Sequence, residues 1–458
     1  MSPFEAEPSL TAALAEVVGA DHVLADPDTR IAYERDLTGR FAGEASLVVR
    51  PKDTAEVSDV VRLCAAHRAS LAVQGGNTGM VGGAVPRSGE IVLNLARLDG
   101  LDPVEPLAAQ VECGAGVTLE RLQQHVRGAG FDFPVDLPSR GTATIGGMAA
   151  TNAGGALAAR YGMMRAWVAG VEAVLADGSI IRRLAGLVKD NAGYDLTGLL
   201  VGSEGTLGIV TRVRLRLVPL LRARAVVLAG LSSLPDAQRL LAALREHAPS
   251  LQAADYLHRN GMALVCEHRG LAPPFRASHD TYVVAECAAA VDPTDELAEA
   301  TAAAGAVVED AAFANDAEGR RALWLYREAH NEAINVRGVP HKLDVSVPLP
   351  AVPEFERDVE REVTARWADA VVYLYGHLGD GNVHVNVLGP DPEDVEVDEL
   401  VLRLVARHGG SISAEHGVGL AKTRWLGLTR GAGEIAAMRA IKQALDPLGL
   451  LNPGRVLG

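Results

Sequence analysis

Residues 74–83 read Gln-Gly-Gly-Asn-Thr-Gly-Met-Val-Gly-Gly, which places five glycines in ten positions directly after a predicted strand at 71–74. Such a loop exposes consecutive backbone N–H groups and lets the chain approach an anion closely. It is not a P-loop, because the Gly-Lys-Ser/Thr ending is absent, and it is not a dinucleotide fingerprint, because no G-x-G-x-x-G opens a helix. The loop therefore predicts a pyrophosphate site, although turn packing would be the favoured explanation of a single loop of this kind.

Two further glycine-rich segments favour a cofactor over turn packing. Residues 141–155 (Gly-Thr-Ala-Thr-Ile-Gly-Gly-Met-Ala-Ala-Thr-Asn-Ala-Gly-Gly) contain no charged side chain, as expected of a backbone pressed against a large flat ligand. Residues 202–209 (Gly-Ser-Glu-Gly-Thr-Leu-Gly-Ile) have the same character. Three such segments indicate one cofactor with a phosphate end and a ring end. The predicted contacts are Gly75, Gly76, Asn77, Thr78, Gly79, Met80, Thr144, Gly146, Gly147, Thr151, Asn152, Gly155, Gly208 and Ile209.

A hairpin that carries two histidines predicts a metal site. The stretch His377-Leu-Gly-Asp-Gly-Asn-Val-His-Val-Asn386 lies between two apolar runs, and residues 379–382 have the composition of a tight turn. If those four residues form the loop, His377 lies directly opposite His384, about 5 Å away between Cβ atoms, with Asn386 on the same face. Two imidazoles and the carboxylate of Glu415 would make a three-ligand site with an open position, as in a catalytic zinc centre. For the hairpin alone, a hydrogen-bonded turn without metal is the alternative.

The bulk composition indicates a globular protein of two or three domains. The chain has 458 residues, of which 22% are charged, and this length exceeds a single hydrophobic core. With 43 basic and 58 acidic residues the net charge is −15, which argues against nucleic acid or an anionic membrane as the main partner. We expect a cytoplasmic protein with reduced thiols. No apolar run of about 18 residues is present, the first seven residues lack targeting features, and the four cysteines have no paired spacing.

The order of strands and helices predicts an α+β fold in three segments. Up to about residue 220, short strands alternate with glycine-rich loops, and beyond it strands alternate with alanine-rich helices. The second pattern is typical of an antiparallel sheet with flanking helices. Its predicted strands are 224–230, 281–286 and 343–347, and its predicted helices are 235–247 and 293–304. The predicted domains are 1–219, 220–405 with the histidine hairpin, and a C-terminal segment at 406–458.

These motifs resemble those of a known flavoprotein family. The 74–83 loop, the Ile-Gly-Gly…Ala-Thr-Asn-Ala-Gly-Gly run and Gly-Ser-Glu-Gly-Thr-Leu-Gly-Ile-Val resemble the FAD-binding motifs of the vanillyl-alcohol-oxidase-type flavoproteins. Tyr-Gly-His-Leu-Gly-Asp-Gly-Asn-x-His, Ser-Ala-Glu-His-Gly-Val-Gly and Leu-Asn-Pro make the chain most similar to the D-2-hydroxyglutarate dehydrogenases of that family. D-lactate dehydrogenases and the FAD subunit of glycolate oxidase are nearby relatives. The resemblance extends from about residue 40 to the C-terminus.

The resemblance implies a particular fold and a particular cofactor. It implies a PCMH-type FAD-binding domain of two α+β subdomains, and a substrate (cap) domain with an antiparallel sheet and flanking helices. The segment 406–458 would return to the flavin site, where Asn452 joins the cofactor contacts. In many covalent relatives a histidine of the first glycine loop carries the flavin. Residues 74–83 contain neither His nor Cys, so the FAD should be bound non-covalently.

The resemblance also implies which residues bind the metal and move the proton. His377, His384 and Glu415 would bind a divalent metal, with zinc as the first choice. His416 would act as the base that takes the hydroxyl proton while hydride leaves for the flavin N5. Because Glu415 and His416 are adjacent, an extended backbone would point their side chains in opposite directions, so that one binds the metal and the other faces the substrate.

Four further side chains would contact the substrate by the same resemblance: Arg327, Asn331, Lys342 and Asn386. Arginine is suited to bidentate binding of a carboxylate. For Arg327 taken without the family, an ion pair on a helix surface is the favoured explanation. Asn331 stands where the family has a threonine that contacts the far end of the substrate. This departure leaves the identity of the hydroxy acid open.

The predicted function is FAD-dependent oxidation of a D-2-hydroxy acid, with D-2-hydroxyglutarate, oxidised to 2-oxoglutarate, as the first choice of substrate. D-lactate or glycolate dehydrogenase is the close alternative. From other classes, a flavin-binding electron carrier would also be yellow, whereas a metallohydrolase that uses the same histidines would be colourless. Since no nicotinamide motif is visible, we expect an electron-transfer flavoprotein or a quinone-linked carrier as electron acceptor. A homodimer is the default assembly.

Overall fold

The chain folds into two compact units in a computed structural model that describes residues 7–87 and 89–458. The first unit comprises the chain up to Gly155, Gly162–Leu220 and Glu415–Gly458, and the second comprises Ala156–Tyr161 and Leu221–Ala414. Residues 1–6, on which most of the prediction about targeting sequences depends, lie outside the described residues. Within the described ranges, no helix combines the length and the apolar character needed to cross a bilayer.

The described part of the first unit contains two four-stranded sheets and a short strand pair. Its strands are β1 (Val23–Leu24), β2 (Ala45–Val49), β3 (Leu71–Gln74), β4 (Glu90–Asn94), β5 (Gln110–Gly114), β6 (Phe131–Asp132), β7 (Val168–Val174), β8 (Ile180–Arg183), β9 (Ile209–Arg216) and β10 (Val218–Pro219). One sheet has the order β1-β2-β4-β3, in which β2, β4 and β3 run parallel. The other has the antiparallel order β5-β9-β7-β8, and β6 pairs with β10. Strands β2 and β4 are buried along their whole length, as expected of parallel strands covered on both faces.

Polar side chains cap several helices of the first unit at their N-termini. For example, Asp53 accepts a hydrogen bond from the Glu56 amide at 2.9 Å, and the helix that follows buries Val57, Val61 and Cys64. The helices are α1 (Pro8–Val18), α2 (Pro27–Arg30), α3 (Thr54–Ala66), α4 (Leu119–Gly128), α5 (Ile145–Thr151), α7 (Met164–Trp167), α8 (Leu196–Leu200), α16 (Leu426–Thr429) and α17 (Ala432–Leu445). The intervening helix α6 (Ala158–Tyr161) belongs to the second unit.

The C-terminal segment of the first unit is fixed to the parallel sheet. Leu451 forms a bridge with Leu71 of β3. The guanidinium of Arg455, which is fully buried, makes a two-pronged ion pair with Glu90, with N–O distances of 2.6 and 2.7 Å. These contacts make the last residues part of the core that the N-terminal residues begin.

The second unit is built on one seven-stranded sheet, and every pairing in it is antiparallel, as predicted. Its order is β14-β11-β13-β12-β16-β17-β15. The strands are β11 (Ala223–Leu231), β12 (Leu251–His258), β13 (Thr281–Ala289), β14 (Val308–Ala314), β15 (His341–Ser346), β16 (Val371–His377) and β17 (Asn382–Leu388). The helices are α9 (Leu234–His247), α10 (Arg259–Arg269), α11 (Thr294–Ala303), α12 (Ala317–Glu328), α13 (His330–Arg337), α14 (Val352–Arg366) and α15 (Val395–Arg407).

Helices cover the two faces of this sheet differently. On one face, α10, α12 and α13 pack against Leu257 and Tyr375 in a single apolar cluster. On the other face, Tyr256 donates a hydrogen bond to Glu356 of α14 at 2.6 Å. Successive residues of β12 therefore point to opposite faces, and only one of these faces carries the residues of the predicted substrate site.

Candidate active site

The first two glycine-rich segments pack against each other inside the first unit. A Cβ atom at Gly75 would lie 2.3 Å from Thr144 Oγ1, and one at Gly76 would lie 1.8 Å from the Thr142 carbonyl oxygen. Only glycine allows this approach. At Gly79, by contrast, an added Cβ would meet no described atom within 4 Å. A cavity of about 380 Å³ opens where the segments meet, lined by Gly76, Ala96, Asp99, Gly116, Thr118, Arg121, Gly141, Thr142 and Thr144.

The polar side chains of the second segment hold their own backbone. Thr144 caps α5 by accepting a hydrogen bond from the Gly147 amide at 3.4 Å. Thr151 donates to the Gly147 carbonyl oxygen at 3.1 Å. Asn152 ends the helix in a left-handed conformation (φ 51°) and accepts from the Arg165 amide at 2.8 Å. These contacts give the three side chains a structural role in shaping the loop, whatever else they bind.

Asn452 joins the third segment to β3, the strand that leads into the first loop. Its Oδ1 accepts a hydrogen bond from the Val73 amide at 2.8 Å, and its Nδ2 donates to the Glu204 carbonyl oxygen at 2.6 Å. Glu204 lies in the 202–208 segment with a φ of 51°. The structure thus brings the three predicted cofactor segments and Asn452 together within one unit.

The Glu204 side chain fixes the segment that follows Glu415 and His416. Its two carboxylate oxygens accept hydrogen bonds from the Val418 and Gly419 amides, both at 2.7 Å. Burial raises the pKa of Glu204, while these amides and the positive charge of Lys422 act in the opposite direction. A carboxylate from the third glycine-rich segment therefore sets the backbone path just beyond the predicted base.

Glu415 and His416 do not diverge as their adjacency suggested. A carboxylate oxygen of Glu415 and a ring nitrogen of His416 lie within 4.8 Å of each other. The prediction assumed an extended segment, whereas this stretch lies outside the named helices and strands. Glu415 also reaches Gly154 of the second glycine-rich segment, where an added Cβ would lie 3.5 Å from its Oε1.

The predicted register of the histidine hairpin is wrong by two residues. His377 pairs with Asn382, and His384 pairs with Tyr375. The four-residue loop is 378–381 rather than 379–382, because Gly381 has the left-handed φ of +78° at its last position. Asn382 is held in the strand by its side chain, which donates to Asp344 Oδ1 at 2.7 Å and to the Val345 carbonyl oxygen.

The two histidines nevertheless converge, because diagonal neighbours on one face of a sheet are still within reach. Their ring centres are 5.4 Å apart with an interplanar angle of 77°. With Zn–N bonds of about 2.1 Å, two imidazoles at a tetrahedral angle have ring centres about 5 Å apart. The observed separation fits two ligands of one ion.

Asp255 contacts both a predicted metal ligand and a predicted substrate ligand. It is almost fully buried, and its Oδ1 lies 2.8 Å from His377 Nδ1. Its Oδ2 lies 3.0 Å from Arg327 Nε in an ion pair. Burial raises the pKa of Asp255, but the positive charges of His377 and Arg327 outweigh it and hold the pKa below its usual range.

A second buried carboxylate, Asp344, lies beside the other histidine. Asp344 pairs with His384 across β15 and β17, and its Oδ1 is 3.7 Å from His384 Nδ1. The next pair on the same face is Lys342 with Asn386. Burial lowers the pKa of Lys342. Asn382 also belongs to this face, and its buried Oδ1 has no hydrogen-bond partner in the part of the chain that is described.

Tyr375 connects the remaining substrate candidates. The Arg327 guanidinium lies over its ring, 4.5 Å from the centroid. The Tyr375 hydroxyl donates to Asn331 Oδ1 at 2.8 Å, and the ring packs 4.9 Å from that of His330. Burial, the largest influence, raises the pKa of Tyr375. Arg327, at 8% exposure, is thus a buried cation and not the helix-surface residue of the alternative explanation.

Sequence reasoning missed Asp255, Asp344, Tyr375 and His330. Two of them left a readable signal. Asp255 interrupts the apolar strand Ala-Ala-Asp-Tyr-Leu, and a carboxylate in such a run is seldom buried without a partner. Asp344 is two residues from Lys342, and the two-residue period of a strand places both on one face. His330 and Tyr375 could not be distinguished from ordinary core residues.

The residues present fit both groups that the resemblance implies. In the first unit, the glycine backbone is kept bare by close packing, and Gly79 leaves open space that a ligand can fill. In the second unit, Asp255 engages Nδ1 of His377, so that Nε2 is the ring atom able to bind a metal. Cationic and amide side chains lie on the same sheet face.

Known proteins agree with this interpretation of the fold. Residues 45–183 match the model of the FAD binding domain, and residues 220–456 match that of the C-terminal domain of FAD linked oxidases. Among solved structures, p-cresol methylhydroxylase with substrate bound superposes with a TM-score of 0.78 at 17% identity, covering 98% of this chain and 96% of that one. The fold is therefore the PCMH-type FAD-binding fold. The two family models, together with the relatives described next, define the class as FAD-dependent oxidoreductases.

Two relatives show which members of this class the chain is similar to. D-2-hydroxyglutarate dehydrogenase from Xanthomonas citri pv. viticola is 38% identical, over 97% of this chain and 96% of its own length. The mitochondrial D-2-hydroxyglutarate dehydrogenase of Arabidopsis thaliana is 35% identical, over 96% of this chain and 80% of its own length. The chain belongs to the FAD-linked oxidase family, in the branch that contains the D-2-hydroxyglutarate dehydrogenases.

Proposed function

We propose that this enzyme oxidises D-2-hydroxyglutarate to 2-oxoglutarate, with FAD as the non-covalent electron acceptor and a divalent metal, zinc in first place, in the substrate site. The observation that carries the proposal is the single sheet face of the second unit, on which His377, His384, Lys342 and Asn386 lie together. Full-length similarity to enzymes named for this substrate supports the same choice.

The metal is assigned to His377, His384 and Glu415. Nitrogen and carboxylate ligands of this type suit zinc, and three protein ligands leave a position for substrate oxygen. Bound at this position, the ion would polarise the hydroxyl and carboxylate oxygens of a 2-hydroxy acid. The spacing of the two histidine rings supports this assignment.

The substrate carboxylates are assigned to cations. A substrate with two carboxylates needs two positive partners. Arg327 forms its ion pair with Asp255 through Nε, and the two terminal nitrogens of a guanidinium can make a bidentate contact with a carboxylate. Lys342 is half-buried, and a partly desolvated ammonium binds an anion more strongly than one in water. Asn386, buried beside Lys342, offers an amide, and Asn331 is assigned to the distal end of the substrate.

His416 is assigned to proton transfer from the substrate hydroxyl. FAD, when bound, supplies the two-electron acceptor for the hydride that leaves C2. The imidazole takes the hydroxyl proton in the same step, and such proton transfer typically contributes about 10²–10⁴-fold to the rate. Glu204 supports this role, because it fixes the backbone two residues beyond His416.

Anaerobic reduction of the flavin tests the proposal. Purified protein should lose its flavin absorbance on addition of D-2-hydroxyglutarate, removal of metal with EDTA should abolish the reduction, and zinc should restore it. The His416→Asn variant should keep its flavin and zinc but be reduced about 10²-fold or more slowly. A yellow protein that none of D-2-hydroxyglutarate, D-lactate and glycolate reduces would refute the proposed reaction.

A matched histidine variant controls for loss of a buried imidazole. His377→Ala should lose zinc, whereas His258→Gln should retain it, because His258 lies on the opposite face of β12 and bonds Glu356 at 2.8 Å. Equal zinc loss in both variants would show that the metal assignment is wrong.

D-lactate is the second candidate substrate, and Asn331 is the residue that favours it. Asn331 replaces the threonine of the resembled family, and its Oδ1 is engaged by the Tyr375 hydroxyl. If D-lactate alone reduces the flavin, the distal site does not accept a second carboxylate, and Asn331→Thr should then gain activity with D-2-hydroxyglutarate.

The electron acceptor is proposed to be an electron-transfer flavoprotein or a quinone-linked carrier. The support is the absence of a nicotinamide motif from the sequence. Turnover with an artificial electron acceptor but without NAD is the expected result. The homodimer and the cytoplasmic location stay predictions.

A further inference from the structure

One buried carboxylate contacts both a proposed metal ligand and a proposed substrate ligand, which are distant from it in the sequence. Asp255 on β12 contacts His377, 122 residues away, through one oxygen and Arg327 through the other. Asp255 is only 2% exposed, so water cannot solvate its carboxylate in place of these two partners. A buried charge of this kind is stable only when it is paired and hydrogen-bonded.

The contact with His377 has a definite consequence for the ring. Since a carboxylate accepts hydrogen bonds, it selects the form of His377 that carries a proton on Nδ1, and Nε2 then holds the lone pair. In metal sites, a carboxylate in this position orients the ring and raises the basicity of the metal-binding nitrogen. The Arg327 contact acts at the same time on the guanidinium plane, which also lies over the Tyr375 ring.

We propose that Asp255 is a positioning residue that sets His377 for the metal and Arg327 for the substrate carboxylate, so that metal affinity and substrate affinity depend on one side chain. The inference rests on the proposed function, because it needs His377 to bind metal and Arg327 to bind substrate. It adds a residue that would contact neither the metal nor the substrate.

Zinc titration of the metal-free, flavin-loaded protein tests the inference. Competition with a chromophoric chelator should show zinc binding by the wild type that His377→Ala abolishes. Asp255→Asn keeps the size of the side chain but replaces one acceptor by a donor facing Arg327. We expect its zinc affinity to fall about 10–100-fold, and its KM for D-2-hydroxyglutarate to rise about 10-fold on account of Arg327.

Glu286→Gln is the matched control. Glu286 is also a buried carboxylate of this sheet that pairs with an arginine, with its Oε1 2.7 Å from Arg224, and it also bonds α12 through Trp324. The Glu286→Gln variant should have the zinc affinity and the KM of the wild type. If Asp255→Asn binds zinc as the wild type does, or if Glu286→Gln weakens it equally, the inference is wrong.

A measurement on the wild type decides the case if Asp255→Asn does not fold or if no zinc binds. In metal-free protein with ¹⁵N-labelled histidine at mildly alkaline pH, His377, assigned by its loss in His377→Gln, should carry its proton on Nδ1. A proton on Nε2 alone would overturn the inference. Failure of the wild type to bind zinc, with the proton on Nδ1, would refute the metal assignment and leave the role of Asp255 in orienting the ring supported.

Discussion

The two units build their proposed ligand sites by different physical means. In the first unit the proposed binding surface is backbone, and glycines at 75 and 76 let one segment approach another to distances at which no side chain fits. In the second unit the proposed binding groups are side chains, and carboxylates such as Asp255 hold histidine and arginine in place. A site of the first kind should therefore be damaged by adding atoms, and one of the second kind by removing charge.

The clearest exception to this contrast is the buried ion pair of Arg455 with Glu90, which makes the first unit sensitive to removal of a charge. Removing one partner of a buried pair leaves a charge without compensation and costs about 3–5 kcal/mol. Arg455→Met should lower the free energy of unfolding by this amount, because it leaves Glu90 buried. Arg403→Met, in the exposed pair Arg403–Glu399 of the second unit, should cost less than about 1 kcal/mol. Urea unfolding measures the loss of unfolding free energy in both variants. Similar losses would show that water solvates the Glu90 carboxylate once Arg455 is removed.

Addition of one methyl group tests the backbone surface directly. Gly76→Ala would place Cβ 1.8 Å from the Thr142 carbonyl oxygen, and we expect a loss of about 3 kcal/mol in the flavin-free protein together with loss of flavin absorbance. Gly79→Ala meets no described atom and should cost less than about 0.5 kcal/mol. If the two variants were equally stable without flavin, close packing would not be what keeps Gly76 a glycine.

Buried His330 should make the folding stability of the second unit decrease at acidic pH. Burial lowers the pKa of His330 from 6.5 to about 3. Because the unfolded chain takes up this proton at higher pH, folding stability is lost as the pH falls from about 6.5 toward 3, by about 1.4 kcal/mol per pH unit. His330→Asn should remove this slope, so that two pH units below 6.5 the wild type has lost about 2.7 kcal/mol relative to the variant. Parallel stability curves for the two proteins would mean that His330 is charged or exposed to water.

Helix caps should not distinguish the units. Asp53 caps α3 in the first unit, and Ser233 caps α9 in the second by accepting a hydrogen bond from the Asp236 amide. Each alanine variant should lose about 1 kcal/mol in thermal or urea unfolding. A large difference between the two would indicate that one of the units unfolds separately from the rest.

Local requirements were readable from the sequence, and long-range pairings were not. The glycine-rich segments were recognisable because glycines clustered with other small residues stand out in a sequence, whatever each glycine contacts in the fold. The hairpin and its two histidines were recognisable for the same reason. The register was wrong because residues 379–382 and 378–381 are both plausible turns, and the choice depends on the bonds of Asn382 to Asp344 and Val345 of another strand.

The partners of the site residues lay beyond what spacing can show. Asp255 is 122 residues from His377, and β12, the strand that carries it, was not predicted. Glu204 reaches amides 214 and 215 residues away. Resemblance supplied the residues proposed to bind ligands, while only the fold shows which residues hold those side chains in place.

The return of the chain to its starting sheet has a consequence for synthesis on the ribosome. Val73 leaves the ribosome 379 residues before its partner Asn452, and Leu71 is likewise made long before Leu451. The glycine loop after β3 must therefore wait, incompletely supported, until these partners have been made. The second unit, which is continuous from Leu221 to Ala414 apart from one short segment made earlier, has all its strands beforehand. In a nascent chain the second unit, which is proposed to bind the substrate, should thus be able to fold before the first unit can retain a flavin.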